Sequence, residues 1–240
     1  MKRFIIAGNW KMNIPPSLDE YRAVLKNPAP ERVTAVICPP APFIPYVADF
    51  PDFISVGAQD VSEHDSGSYT GETSAAMLSV FGVKYAIVGH SERRASHFEV
   101  DELVNRKTKA ALRAGLSPIV CVGETLAERE AGRTVEVVTR QIGAVFGSLS
   151  DAERESCVAA YEPIWAIGTG LAAAPEDADA MCAEISKIAR CPVLYGGSVS
   201  LANAESILSQ AHIDGALIGG ASLDADAFSR IIAIAAELSA

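Results

Sequence analysis

Three side chains in this sequence stand where an apolar run breaks into a polar corner, and together they form an acid–base set. Glu162 follows the run Cys157-Val158-Ala159-Ala160-Tyr161. Pro163 restricts its backbone to extended geometry. An apolar stretch, Ile164 to Ile167, then leads into Gly168-Thr169-Gly170. A carboxylate on a rigid strand end, covered by a mobile apolar lid, suits a general base. Burial under such a lid is expected to raise its proton affinity.

His90 ends the run Tyr85-Ala86-Ile87-Val88-Gly89 and precedes Ser91-Glu92-Arg93-Arg94. Ser91 reads as a helix N-cap, with Glu92 in the first turn. A histidine beside a helix N-terminus is expected to be neutral and able to donate a hydrogen bond to a carbonyl. Lys11, two residues after Asn9, would supply positive charge that attracts an anion and stabilises a developing oxyanion. Gly196-Gly197-Ser198 and Gly219-Gly220 each follow an apolar run. Glycine lets backbone approach a ligand closely, and N–H groups at helix starts favour phosphate. His64, His90, His97 and His212 show no metal-ligand spacing, so no metal and no cofactor is expected.

These residues need a scaffold that collects strand ends. Apolar runs occur from Phe4 to Gly8, Val33 to Cys38, Phe53 to Ala58, Tyr85 to Gly89, Pro118 to Val122, Val158 to Tyr161, Val193 to Tyr195 and Ala216 to Ile218. They are continuous rather than alternating, as strands covered on both faces are. Helical patterns lie between them, from Leu18 to Leu25, Ser74 to Val80, Val100 to Ala114, Thr134 to Phe146, Pro175 to Ala189 and Ala225 to Ala236. Eight strand–helix units in 240 residues predict one α/β domain, a (β/α)8 barrel of eight parallel strands over residues 1–240. A doubly wound open sheet is the competitor, but no dinucleotide fingerprint follows an early strand. In a barrel, Asn9, Lys11, Gln59, Asp60, His90, Ser91, Glu124, Glu162 and both glycine clusters would meet at the C-terminal face.

The formal charge of −10 argues against nucleic acid and anionic membranes. Attraction of an anionic ligand must therefore be local, which screening permits. The five cysteines form no CxxC pair and read as free thiols. The first apolar run breaks at Gly8-Asn9, too short for a signal-peptide core, and a cytoplasmic protein is expected.

The chain resembles the triosephosphate isomerase family along its whole length. The resemblance is carried by Gly8-Asn9-Trp10-Lys11-Met12-Asn13, Gly57-Ala58-Gln59-Asp60, Tyr69-Thr70-Gly71-Glu72, Val88-Gly89-His90-Ser91-Glu92-Arg93-Arg94, Cys121-Val122-Gly123-Glu124, the Glu162 lid segment, Tyr195-Gly196-Gly197-Ser198-Val199 and Gly219-Gly220-Ala221-Ser222-Leu223. It implies interconversion of dihydroxyacetone phosphate and D-glyceraldehyde 3-phosphate, in glycolysis and gluconeogenesis, through an enediol(ate). By resemblance, Glu162 shuttles the proton, neutral His90 is the electrophile, and Lys11 and Asn9 stabilise charge. Gly168, Ser198, Gly219 and Gly220 would bind the phosphate, with Glu92 and Cys121 supporting the site. The family is homodimeric. The loop from Val61 to Thr73 would insert into a partner, Thr70 reaching toward the partner's Asn9 and the partner's Lys11. Glu72 and Arg93 would interact across that contact.

Three features depart from the family pattern. Leu171 stands where the lid usually has Lys, which bears on lid motion. Asp60 replaces a frequent Asn. The first helical unit, Ile14 to Asn27, is short and carries Pro15-Pro16. Two other readings of the same residues are an imine-forming aldolase, which would use Lys11 as nucleophile, and a phosphosugar-binding barrel without catalysis. A further role in binding other proteins has no sequence feature in its favour.

Overall fold

The computed structural model describes residues 2–15, 17–25, 31–167 and 173–239. Its strands are β1 (Phe4–Asn9), β2 (Val33–Cys38), β3 (Ile54–Ala58), β4 (Tyr85–Val88), β5 (Ser117–Val122), β6 (Val158–Tyr161), β7 (Val193–Tyr195) and β8 (Gly215–Ile218). They pair in chain order and close into a barrel, β8 returning to β1. Every pairing is parallel; at the closure Ile6 faces Ala216 and Gly8 faces Ile218. Closure removes the open-sheet alternative and with it the exposed strand edges.

Continuous apolar runs are needed because each strand is covered twice. One set of residues, including Ala7, Val36, Cys38, Ile87, Ile119, Cys121, Ala160, Leu194 and Leu217, packs inside the barrel. The alternate set, including Ile6, Ile37, Val88, Val120, Ala159 and Ile218, packs outward under the helices. The longest covering helices are Asp101–Arg113, Thr134–Phe146, Pro175–Ala189 and Ala225–Leu238. Two of these start and end where their periodicity predicts, and the other two differ by one or two residues.

The inside set also dictates what stands at the mouth. Strand side chains alternate with a period of two. Two residues beyond Ala7, Cys121, Ala160, Leu194 and Leu217 come Asn9, Gly123, Glu162, Gly196 and Gly219. The same alternation that fills the barrel thus delivers one amide, one carboxylate and three glycines to its C-terminal rim.

The helix after β1, Leu18–Val24, has seven residues, the trimmed element expected from Pro15-Pro16. Short helices at Ile44–Val47, Leu126–Glu130, Asp151–Glu155 and Ala204–Leu208 have too few residues to show a period. Two of them carry a readable start signal: Thr125 with Glu128, and Ser150 with Glu153, form reciprocal capping boxes. Among the described residues, no helix is long and apolar enough to cross a membrane.

Candidate active site

Glu162 emerges at the end of β6 and is 2 % exposed. Its backbone N–H donates to Val122 O at 2.8 Å, fixing the residue to the end of β5. It fits only because both neighbouring strands are followed directly by glycine. A Cβ on Gly123 would lie 1.7 Å from Glu162 O, and one on Gly196 would lie 2.9 Å from Glu162 Cγ. Gly123 is itself bracketed by the Gln141 amide, which accepts from its N–H at 2.8 Å and donates to its carbonyl at 3.1 Å.

His90 is reached through a backbone reversal. Ile87 points into the barrel, so simple alternation would aim Gly89 inward rather than its neighbour. Gly89 takes a φ of 66°, a left-handed conformation that favours glycine, and the turn brings His90 into the mouth. His90 Nε2 stands 3.0 Å from Glu162 Oε1. The N–H of Glu92 donates to His90 Nδ1 at 3.2 Å. In the neutral ring Nδ1 is therefore the unprotonated nitrogen, and Nε2 carries the hydrogen that faces Glu162. The N–H of Ser91 donates to Glu162 Oε2 at 2.9 Å. The helix start thus serves both side chains.

Three sequence expectations change here. The N-cap of the helix Ser91–Ser96 is His90, not Ser91; Ser91 is its first residue. Burial does raise the proton affinity of Glu162, but His90, the Ser91 N–H and Lys11 together outweigh it. The carboxyl is held below its ordinary value. For His90, burial favours the neutral ring, yet the adjacent Glu162 carboxylate, together with Glu92, more than offsets it and holds its pKa above the usual imidazole value. The helix N-terminus fixes the tautomer through Nδ1, and Glu162 sets the direction of the shift.

Lys11 sits beyond β1 with a φ of 53°, uncommon for a residue with a side chain. Asn9 Oδ1 accepts from its N–H at 2.9 Å, and Gln59 Nε2 donates to its carbonyl at 2.8 Å. The side chain reaches across the mouth to an ion pair with Glu92. Asn9, Lys11, Asn13, His90, Glu162, Gly196, Gly197, Ser198, Gly219 and Gly220 line one cavity of about 310 Å³. Ser198 Oγ donates to Ala166 O at 2.5 Å. Cys121, fully buried inside the barrel, lies against Glu162; burial first, and then that carboxylate, push its thiol well above the ordinary range. Gly168 and Leu171 lie outside the described residues.

Around the next strand ends, Glu124 is wholly buried and accepts from Trp165 Nε1 at 2.8 Å and from the Tyr161 hydroxyl at 3.1 Å. Arg129 stacks over the Trp165 ring at 4.3 Å from its centroid. On the opposite side, Arg93, Glu99, Lys107 and Asp60 form a closed ring of alternating charge. Its contacts are Asp60–Arg93 at 2.8 Å, Arg93–Glu99 at 2.6 Å, Glu99–Lys107 at 2.6 Å and Lys107–Asp60 at 2.7 Å. Asp60, the residue that departs from the family pattern, thus has two cationic partners within its own chain. Arg93 is engaged here as well. Thr70 and Glu72 are exposed on the loop that follows β3. Arg93, Glu72, Met12 and Asp60 line a second groove of about 420 Å³, which shares Lys11 with the first cavity.

Sequence reading brought together Asn9, Lys11, His90, Glu162, Ser198, Gly219 and Gly220. It missed the steric role of Gly123 and Gly196 and the part played by the Ser91 N–H. The glycines were findable, since each lies on the inward alternation of a strand flanking Glu162. The amide was not, because its aim depends on the turn at Gly89.

A closed parallel barrel that buries a carboxylate–imidazole pair beside a cation at its C-terminal mouth is an acid–base enzyme of the (β/α)8 class. A family model described as triosephosphate isomerase matches residues 4–235. The triosephosphate isomerase of Alkalilimnicola ehrlichii is 49 % identical over 249 residues, covering 98 % of this chain and 99 % of that protein. That of Halorhodospira halophila is 50 % identical over 250 residues, covering 99 % and 100 %. That of Delftia acidovorans is 50 % identical over 249 residues, covering 98 % and 100 %. The chain belongs to the triosephosphate isomerase family and is an isomerase.

Proposed function

We propose that this protein interconverts dihydroxyacetone phosphate and D-glyceraldehyde 3-phosphate by proton transfer through an enediol(ate). The observation that carries this reading is the buried contact between Glu162 and His90 in a cavity that also holds Lys11 and two glycine corners. Glu162 takes the proton from the carbon beside the carbonyl and returns it to the neighbouring carbon. His90, with hydrogen on Nε2, donates to the substrate oxygens as charge moves between them. Lys11 and Asn9 stabilise that charge. The backbone at Ser198, Gly219 and Gly220, with Gly168, takes the phosphate, consistent with the usual place for phosphate in such barrels. Exclusion of water from the mouth protects the intermediate. Glu92 supports Lys11, and Cys121 fills the floor beneath Glu162.

The engagement of Lys11 with Glu92 favours a charge-stabilising lysine over an imine-forming one, because a nucleophilic amine must be uncharged. We further propose a cytoplasmic homodimer. The exposed loop bearing Thr70 and Glu72 would fill the groove lined by Met12, Asp60 and Arg93 of a second copy. Met12, 96 % exposed, would be covered by that contact.

A coupled assay on purified protein tests the activity: turnover of glyceraldehyde 3-phosphate is expected, and none would refute it. Borohydride added with substrate should trap no adduct on Lys11. Sedimentation across concentration should give twice the mass of one chain.

A further inference from the structure

We infer that Arg94 is a positioning residue for the reaction, holding the ends of β4 and β5 so that His90 and Glu162 meet. The inference rests on the isomerase reading above. Arg94 sits in the last turn of the helix Ser91–Ser96 and folds back toward its start. Its guanidinium has three separate acceptors. Nε donates to Gly89 O at 2.8 Å, Nη2 to Cys121 O at 3.3 Å and Nη1 to Asp101 Oδ1 at 2.7 Å.

Each acceptor has a consequence for the site. Gly89 is the left-handed residue directly before His90, so its carbonyl orientation and the aim of the imidazole are set by the same peptide unit. Cys121 lies one residue before Val122, whose carbonyl holds the Glu162 N–H at 2.8 Å. Asp101, 7 % exposed, begins the next helix and is also paired with Arg140, so the anchor is fixed. The space around Gly89 is closed too: a Cβ there would lie 2.7 Å from Val104 and 3.2 Å from Arg94 itself. One planar cation therefore ties the peptide preceding the electrophile to β5, the strand whose end holds the backbone N–H of the base. A lysine cannot replace it, because a single ammonium does not present a rigid fork to three acceptors in different directions.

Among the described residues, Arg94 neither lines the cavity nor touches Ser198, Gly219 or Gly220. Its loss should therefore act on turnover rather than on substrate binding. Misplacing reacting groups by about 1 Å costs on the order of 10²-fold in rate.

The test compares wild type with Arg94→Ala, Arg94→Lys and Asp101→Asn, and with Arg230→Ala as an exposed control. Both Arg94 variants should lose about 10²-fold in kcat while KM stays within about threefold. The imidazole 15N and 1H resonances of His90 should move in Arg94→Ala and stay fixed in Arg230→Ala. Wild-type kcat in a folded Arg94 variant, a loss confined to KM, or unmoved His90 resonances would each overturn the inference. If Arg94→Ala does not fold, Asp101→Asn decides: about a tenfold fall in kcat supports it and unchanged kcat overturns it. If wild type does not isomerise triose phosphates, the functional reading fails by itself, and the His90 resonances still report the positioning.

Discussion

His90 Nε2 and Glu162 Oε1 lie 3.0 Å apart in a pocket where their side chains are 6 % and 2 % exposed. The two groups thus satisfy each other. Each must exchange that contact for a substrate atom when the reaction begins.

The pair imposes a pH dependence on stability whose sign follows from the two shifts. His90 is held above its ordinary value of 6.5, so its stabilising contribution is complete below that pH and fades as pH rises through the raised value. Glu162 is held below its ordinary value of 4.5, so its contribution is complete above that pH and fades as pH falls through the lowered value. Between the two ordinary values the pair contributes fully. Thermal melts of wild type and Glu162→Gln should differ more at about pH 5.5 than at about pH 9. An equal difference at both would show that the two groups do not interact.

Replacing His90 by Gln should slow turnover by roughly 10²-fold or more, with a wild-type far-UV spectrum. Gln keeps a hydrogen-bond donor but places it differently and cannot exchange a proton near neutral pH. Unaltered kinetics would remove His90 from the chemistry.

Gly123 and Gly196 are predicted to be intolerant for different reasons. An added methyl at Gly123 meets the Glu162 carbonyl, which is backbone and cannot swing aside. Gly123→Ala should destabilise the protein by about 1–3 kcal/mol, as overpacking does. The same methyl at Gly196 meets the Glu162 side chain at Cγ. Gly196→Ala should therefore reduce kcat more than it reduces stability. Melting temperatures and kcat measured together check both.

The charged ring beside the groove should matter for folding more than for chemistry. Lys107 and Glu99 have side chains 5 % and 2 % exposed, so removing either leaves a buried ion without its main partner. Lys107→Met or Glu99→Ala should cost about 3–5 kcal/mol by denaturant unfolding. Among the described residues, the second oxygen of Glu99 is already buried without a hydrogen-bond partner. Asp60→Asn should cost less, because Asp60 is 25 % exposed and an amide can still accept from Lys107 and Arg93.

Much of this was legible in the chain because a barrel strand, buried on both faces, writes itself as an unbroken apolar run. All eight strands were placed that way, and the residues after them named most of the rim. The long helices were equally plain, since thirteen to fifteen residues repeat the amphipathic period several times. The short helices escaped because four or five residues cannot. What sequence could not convey was the balance of opposing terms in the site. Burial alone predicts a raised Glu162, and only the distances to His90 and Ser91 reverse that direction. The ring of Asp60, Arg93, Glu99 and Lys107 was hidden for a related reason. Its members come from two connections and two helices, and nothing in their spacing shows that they converge.

The most direct test of the central claim is the turnover of Glu162→Gln beside wild type, with binding of a phosphorylated substrate analogue measured on both. The swap keeps the size and shape of the side chain while removing the base. Turnover should fall by about 10²–10⁴-fold, and affinity for the analogue should hold within a few fold. Isomerisation at the wild-type rate by Glu162→Gln would contradict the assignment of Glu162 as the group that moves the proton.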